Sequence, residues 1–243
     1  MGKGYIAILG ATSTVGRALA AHYAREGFDI LLAGRQVDEI HRVGLDLETR
    51  YQCSTCTVPL DADSPTYPQA MLGTVAEMAP LLGLVWALGT MLGAAAESDP
   101  SRLRTSTWVN FGAAVAAVEG LLPHIAPSGF IVLLSSVAGD RGRARNYIYG
   151  ASKAALSTYG AGLNHRFAGH GPRVTVVQLG VVDSQMTWGM DVGASGTDPD
   201  EVARGIAHAV ANGRGRAYVP ARWRVIMFVL RLLPEVIFNR LRI

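Results

Sequence analysis

The chain has 243 residues, nearly half of them hydrophobic and 17% charged. That is enough for one sizeable core, and too apolar for a disordered chain. Its net charge is a mild +3, and its two cysteines, Cys53 and Cys56, are too few for a disulfide framework and lack the second ligand pair of a zinc site, so no metal is expected. Lys3 runs straight into an apolar stretch with no secretory leader, which predicts a cytoplasmic protein with reduced thiols.

Apolar runs predict strands at about 5–9, 29–33, 56–59, 84–88, 130–135, 174–179 and 217–219. Longer stretches with helical periodicity predict helices at about 15–26, 37–51, 67–78, 103–122, 148–167 and 199–212. This alternation is the βαβ pattern of a parallel sheet covered on both faces, an α/β doubly wound single domain of about seven strands over 1–243. Within the third helix, Tyr67, Met71, Val75 and Met78 form one stripe, for which core packing suffices.

The first strand runs into Gly10-Ala-Thr-Ser-Thr-Val-Gly16 and at once into a helix. Thr12, Ser13, Thr14 and Val15 then present backbone N–H groups at the positive end of the helix dipole, a spot suited to a pyrophosphate. Gly10 permits the tight turn and Gly16 a close helix–sheet contact. The end of the second strand carries Gly34-Arg35 where an acid would select NAD. A guanidinium there pairs with a 2′-phosphate, which predicts NADP(H) over NAD(H). Arg17 either assists or simply lies on the helix surface. Asp61 and Ala62, after the third strand, are placed to meet the adenine; a plain turn is the simpler role.

The fifth strand ends in Ser135-Ser136, and Tyr149 and Lys153 stand four residues apart on a predicted helix, hence on one face. An ammonium beside a phenol lowers its pKa, which makes Tyr149 a proton donor and acceptor near neutral pH. Ligands bind at the carboxyl ends of parallel strands, so Ser136 is positioned to hydrogen-bond a carbonyl oxygen. Asn110 is a candidate for holding a water in a proton relay from Lys153.

Taken together, the nucleotide turn, Asn110 with Pro123 thirteen residues on, Ser136, the Tyr149/Lys153 pair and the segment Leu179-Gly180-Val-Val-Asp-Ser184 resemble the short-chain dehydrogenase/reductase family over nearly the full chain. The resemblance implies a Rossmann-like fold and a catalytic set of Asn110, Ser136, Tyr149 and Lys153. It further implies cofactor contacts from Gly89, Gly180, Val182 and Ser184 besides the first turn, with Lys153 also holding the nicotinamide ribose. Pairing through helices near 103–122 and 148–167, as a homodimer or homotetramer, is implied too. The sequence departs from the family at Thr14, where a third glycine is usual. It departs again at Trp86-Ala-Leu-Gly89, where Asn-Asn-Ala-Gly is usual, and at Leu179, where proline is usual.

Between Ser136 and Tyr149 lie Arg141, Arg143 and Arg145, either a site for a substrate phosphate or a solvated loop. The stretch 185–197, with Met186, Trp188, Met190 and three glycines, fits a mobile lid over an apolar substrate, or ordinary surface packing. From Arg214 onward there are seven arginines and one acid, Glu235. This 214–243 extension is basic and apolar, too interrupted to span a bilayer. It predicts two short amphipathic helices hinged at Pro234. They lie either on a membrane, through 222–243 at its inner face, or in an oligomer interface, rather than in a nucleic-acid groove.

Residues 135–149, Tyr218-Val-Pro220 and the run through Phe238-Asn-Arg-Leu241 also resemble a narrower subgroup of that family, the reductases of decaprenylphosphoryl-2-keto-ribose. The sequence therefore points to an NADPH-dependent reductase of a lipid-linked or amphiphilic ketone. A 3-oxoacyl or steroid-like ketone reductase is the alternative, and a binding protein that kept the fold without catalysis is a third.

Overall fold

The computed structural model describes residues 3–64, 66–78, 80–91, 99–187 and 196–241. In chain order these form β1 (Tyr5–Leu9), α1 (Thr14–Arg25), β2 (Asp29–Gly34), α2 (Val37–Tyr51), β3 (Thr55–Pro59), α3 (Gln69–Met78) and β4 (Leu81–Trp86). Then come α4 (Pro100–Thr107), a π turn (Trp108–Gly112), α5 (Ala113–Leu121), β5 (Ile125–Ser136), α6 (Tyr147–Arg166) and β6 (Arg173–Leu179). The chain closes with α7 (Pro199–Ala211), β7 (Arg216–Val219), α8 (Arg222–Leu232) and α9 (Glu235–Phe238).

Seven strands form one sheet in the order β3-β2-β1-β4-β5-β6-β7, and every pairing is parallel. The order reverses between β1 and β4, so the crevice for ligands opens at their carboxyl ends. Alternation along each strand feeds two cores. Ile6, Ile8, Ile30, Leu32, Val85 and Val132 pack on one face, beneath Leu19, Val202 and Ile206 of α1 and α7. Ala7, Leu9, Leu31, Leu84, Trp86 and Leu133 pack on the other, beneath Val118 and Leu156 of α5 and α6. A wholly buried Leu or Ile contributes about 1.5–3 kcal/mol, so the central strands are the rigid part on which the site is mounted.

The predicted elements are all present, with shifted ends. Strand β4 begins and ends earlier than 84–88, and β5 begins at Ile125 because Leu81 pairs with it before a register shift. The helix expected at 103–122 is interrupted by the π turn around Asn110. It starts at Pro100, where the Asp99 carboxylate caps it by accepting from Ser101 N at 2.9 Å. Strand β7 lies inside the basic extension, so the part of 214–243 outside the sheet begins after Val219. Two short helices on either side of Pro234 follow, as predicted. Among the described residues no helix is long and apolar enough to cross a membrane.

Candidate active site

The turn after β1 is built as its glycines require. Gly10 has φ +97°, a conformation L side chains rarely adopt, and a Cβ there would lie 2.8 Å from Ala87 C. A Cβ on Gly16 would lie 2.3 Å from Gly10 O. Ser13 locks the turn: its Oγ donates to Gly10 O at 2.7 Å and accepts from Gly16 N at 3.0 Å, capping α1. The first-turn N–H groups beyond Ser13 have no intrahelical acceptor and face the crevice end of the helix dipole. Thr14 begins the helix without a left-handed φ, so the family's third glycine is not needed here. This cradle fits a dinucleotide pyrophosphate. Arg17 is occupied locally, donating from Nε to Thr12 O at 3.2 Å and pairing with Glu39 of α2. Arg35 is exposed and makes no ion pair among the described residues. Asp61 caps its own turn by accepting from Asp63 N at 3.1 Å. The carbonyl of the buried Ala62 is held by Trp108 Nε1 at 2.7 Å.

At the end of β5, Ser136 Oγ accepts from Ala138 N at 3.1 Å and donates to Leu179 O at 3.5 Å, and its hydroxyl is near enough to the half-buried Tyr149 phenol, in the first turn of α6, to lower that phenol's pKa. Lys153, one turn on, is 3% exposed. Its Nζ donates to Leu134 O at 2.9 Å and lies 5.8 Å from the Tyr149 ring centroid. A Cβ on Gly89 would come 3.2 Å from both Lys153 Nζ and Asn110 Oδ1, so Gly89, Asn110 and Lys153 meet at the crossing of β4, the π turn and α6. The sequence did not single out the buried polar layer beneath. Ser135 Oγ and Ser157 Oγ each donate to Lys153 O at 2.8 Å, and Gln178 Nε2 donates to Ser157 Oγ at 2.9 Å. The i, i+4 pair Lys153/Ser157 was the visible trace of it.

Two expectations change. Asn110 is buried with its side chain committed: Nδ2 donates to Thr90 O at 2.7 Å and Oδ1 accepts from Thr90 N at 2.9 Å. Its amide therefore clamps the loop after β4, in place of the missing asparagines, and is not free to hold a relay water. The second change concerns Tyr149. Burial drives its pKa up to about 12, against the lowering effect of the Ser136 hydroxyl, and burial drives Lys153 down to about 8. Desolvation outweighs the ammonium–phenol attraction that spacing alone suggests, so Tyr149 keeps its proton through neutral pH.

After β6, Gly180 N donates to Val219 O at 2.9 Å, and Val182 forms a parallel bridge with Thr197. Thr187 Oγ1 donates to Val182 O at 2.7 Å and accepts from Ser184 N at 3.2 Å. Val182 and Ser184 thus sit in a pinned turn beside Ser136, whose pairing partner is Leu179. The Trp223 indole of α8 presses on Gly180, where a Cβ would lie 1.8 Å from its Nε1; no local pattern of residues marks this contact. Met186 is 40% exposed. Trp188 and most of the expected lid fall outside the described residues.

The three loop arginines do not act together. Arg141 is engaged by the C-terminal helices. Its Nη1 donates to Leu230 O and, at 2.8 Å, to Leu233 O, and its guanidinium carbon stands 3.8 Å from the Phe238 ring centroid. The C-terminal end of α8 and the face of an aromatic ring are both favourable places for a cation. Arg143 is half-buried with its Nε unpartnered, and burial, then the Arg145 charge, lowers its pKa. Arg145 is exposed.

A doubly wound sheet with a glycine-built phosphate cradle and a Ser, Tyr and Lys at the carboxyl end of its central strands defines a dinucleotide-dependent oxidoreductase class. The short chain dehydrogenase family model matches residues 5–192, and the chain belongs to that family. An uncharacterized oxidoreductase of Mycobacterium tuberculosis is 32% identical over 99% of this chain and 98% of its own length. Another, from Streptomyces coelicolor, is 34% identical over 96% and 94%. Among solved structures, a 7beta-hydroxysteroid dehydrogenase superposes with a TM-score of 0.86 at 17% identity, covering 98% of this chain and 96% of that one. A Sphingobium yanoikuyae short-chain dehydrogenase in complex with NADPH gives 0.81 at 20% identity, covering 96% and 97%. At these identities the structures establish the shared fold.

Proposed function

We propose that the protein reduces a ketone to a secondary alcohol with NADPH. The observation that carries the reading is the meeting of Ser136 at the end of β5 with Tyr149 and Lys153 on α6, the Lys153 Nζ held by Leu134 O 5.8 Å from the Tyr149 ring centroid. Bound NADPH would supply a hydride to the carbonyl carbon. Ser136 holds the carbonyl oxygen, and the Tyr149 O–H gives that oxygen its proton. Lys153 stays charged below about pH 8, holding the nicotinamide ribose and stabilising the phenolate that remains. Leu134 O and the Ser135/Ser157 pair fix where that ammonium stands. Arg35, exposed beside the cradle, supports a 2′-phosphate and so NADP(H) over NAD(H). Val182 and Ser184 are the residues for the carboxamide, and Asp61 and Ala62 those for the adenine.

For the substrate, we favour a lipid-linked or amphiphilic keto compound such as a polyprenylphosphoryl keto-sugar. The desolvated Arg143 between Ser136 and Tyr149 suits an anionic group, and the apolar α8–α9 pair lies beside the site. That pair also supports peripheral contact with a membrane. A groove of about 460 Å³ on α4 and the π turn, along Leu103, Arg104, Thr107, Trp108 and Phe111, supports pairing of two copies through the helices near 103–122 and 148–167. A steroid-like ketone is the second reading, favoured by the similarity in fold to the hydroxysteroid dehydrogenase and to a bulky-bulky ketone specific alcohol dehydrogenase. The test is a screen with saturating NADPH across keto lipids, keto sugars, steroid ketones and acyl thioesters. Turnover confined to anionic amphiphilic ketones is expected; rapid turnover of small neutral ketones alone contradicts the substrate assignment.

A further inference from the structure

Helix α8 is apolar on two faces. Trp223, Met227 and Leu230, at i, i+4 and i+7, face inward, with Met227 1% exposed. Val225, Phe228, Val229 and Leu232, at i, i+3, i+4 and i+7, face outward, each between 52% and 67% exposed, and Val236 and Ile237 of α9 extend the same apolar surface. Elsewhere among the described residues exposed large apolar side chains occur singly. Arg224, Arg231 and Arg240, all exposed, belong to the same 222–241 segment, whose one acid is Glu235. A second copy seated on it by two-fold symmetry would oppose one arginine-rich face with another. An anionic bilayer supplies both the apolar bed and the opposite charge.

Three pins hold this surface to the enzyme, and all reach walls of the active site. Trp223 bears on Gly180, and Arg222 Nη2 donates to Thr197 Oγ1 at 3.2 Å, beside the Val182 bridge. Arg141, five residues after Ser136, grips Leu230 O, Leu233 O and the buried Phe238 ring. Its neighbour Asp140 accepts from Tyr218 Oη of β7 at 2.8 Å, tying the same loop to the strand that leads into α8. We propose that Arg141 is a positioning residue that couples docking of α8–α9 on an anionic bilayer to the order of the loop between Ser136 and Tyr149. This rests on the membrane contact proposed above. The enzyme is then most ordered where an amphiphilic ketone resides.

The test is hydrogen exchange on the full chain with vesicles of phosphatidylcholine alone or mixed with phosphatidylglycerol. Anionic vesicles are expected to slow exchange both in 222–241 and in 137–146, the latter by about three- to tenfold; zwitterionic vesicles do neither. In Arg141→Gln the tail is slowed as in the parent, whereas slowing of the loop falls to less than half. Arg141→Lys, which keeps the charge but not the flat face over Phe238, is read the same way if the first variant does not fold. No binding to anionic vesicles overturns the membrane contact and this coupling together. Tail slowing without loop slowing in the parent, or loop slowing undiminished in the variants, overturns the coupling alone.

Discussion

The nucleotide half and the C-terminal end of this chain are held by opposite means. Around β1, α1 and β2, the backbone does the work: Gly10, Gly16 and Ser13 close a turn through bonds spanning three residues, and Gly10 N and Ala11 N fix it to the sheet by donating to Ala33 O. At the other end, Arg141, Trp223 and Phe238 hold the tail through contacts that span tens of residues. Local constraint makes a rigid cradle. Long-range side-chain pins leave a wall whose order depends on distant contacts, which is what the proposed coupling uses.

The contrast is sharpest at Lys153, which belongs to both halves. Replacing it with Met should lower turnover by on the order of a hundredfold or more and yet stabilise the fold. Its pKa falls to about 8 from 10.5, so below pH 8 both folded and unfolded chains carry the proton and the folded state bears the whole cost of a buried ammonium. Between about pH 8 and 10.5 the unfolded chain binds more protons, and parent stability rises with pH. Thermal melts should therefore show Lys153→Met more stable by up to about 2–3 kcal/mol at pH 7, with the gap closing towards pH 10.5. A variant less stable at pH 7 would mean that the Leu134 carbonyl bond offsets the desolvation.

Gly180→Ala tests the long-range end. Its methyl would overlap the Trp223 indole, so α8 must shift, at a cost of about 1–3 kcal/mol in chemical denaturation and with a visible change in tryptophan fluorescence. Unchanged emission would show that Trp223 is not held against that glycine. Arg35→Asp tests the cradle end and is the mildest. It should weaken NADPH binding by about ten- to a hundredfold while changing NADH little; equal loss of both by calorimetry removes the 2′-phosphate role.

Local chemistry was legible in the sequence. The glycine turn, the strand ending in Ser136 and the Tyr149/Lys153 spacing are all properties of neighbouring residues, and the structure brings them to one crevice. What escaped depends on depth and on distant partners. The direction of the Tyr149 pKa is set by burial, which spacing does not encode. Arg141 looked like a phosphate ligand because its carbonyl acceptors lie some ninety residues away. Asn110 looked like a water holder because the Thr90 backbone it clamps carries no sequence mark.

The central claim is that Tyr149 enters the reaction as a neutral acid and gives up its proton as the carbonyl is reduced. Rapid-mixing measurement of NADPH oxidation by Tyr149→Phe, on a ketone the parent reduces and with NADPH affinity checked by fluorescence titration, tests it most directly. Affinity within about threefold of the parent, with the reduction step slowed by about a thousandfold or more, is the predicted result. A step slowed by less than about tenfold at full NADPH occupancy would contradict it.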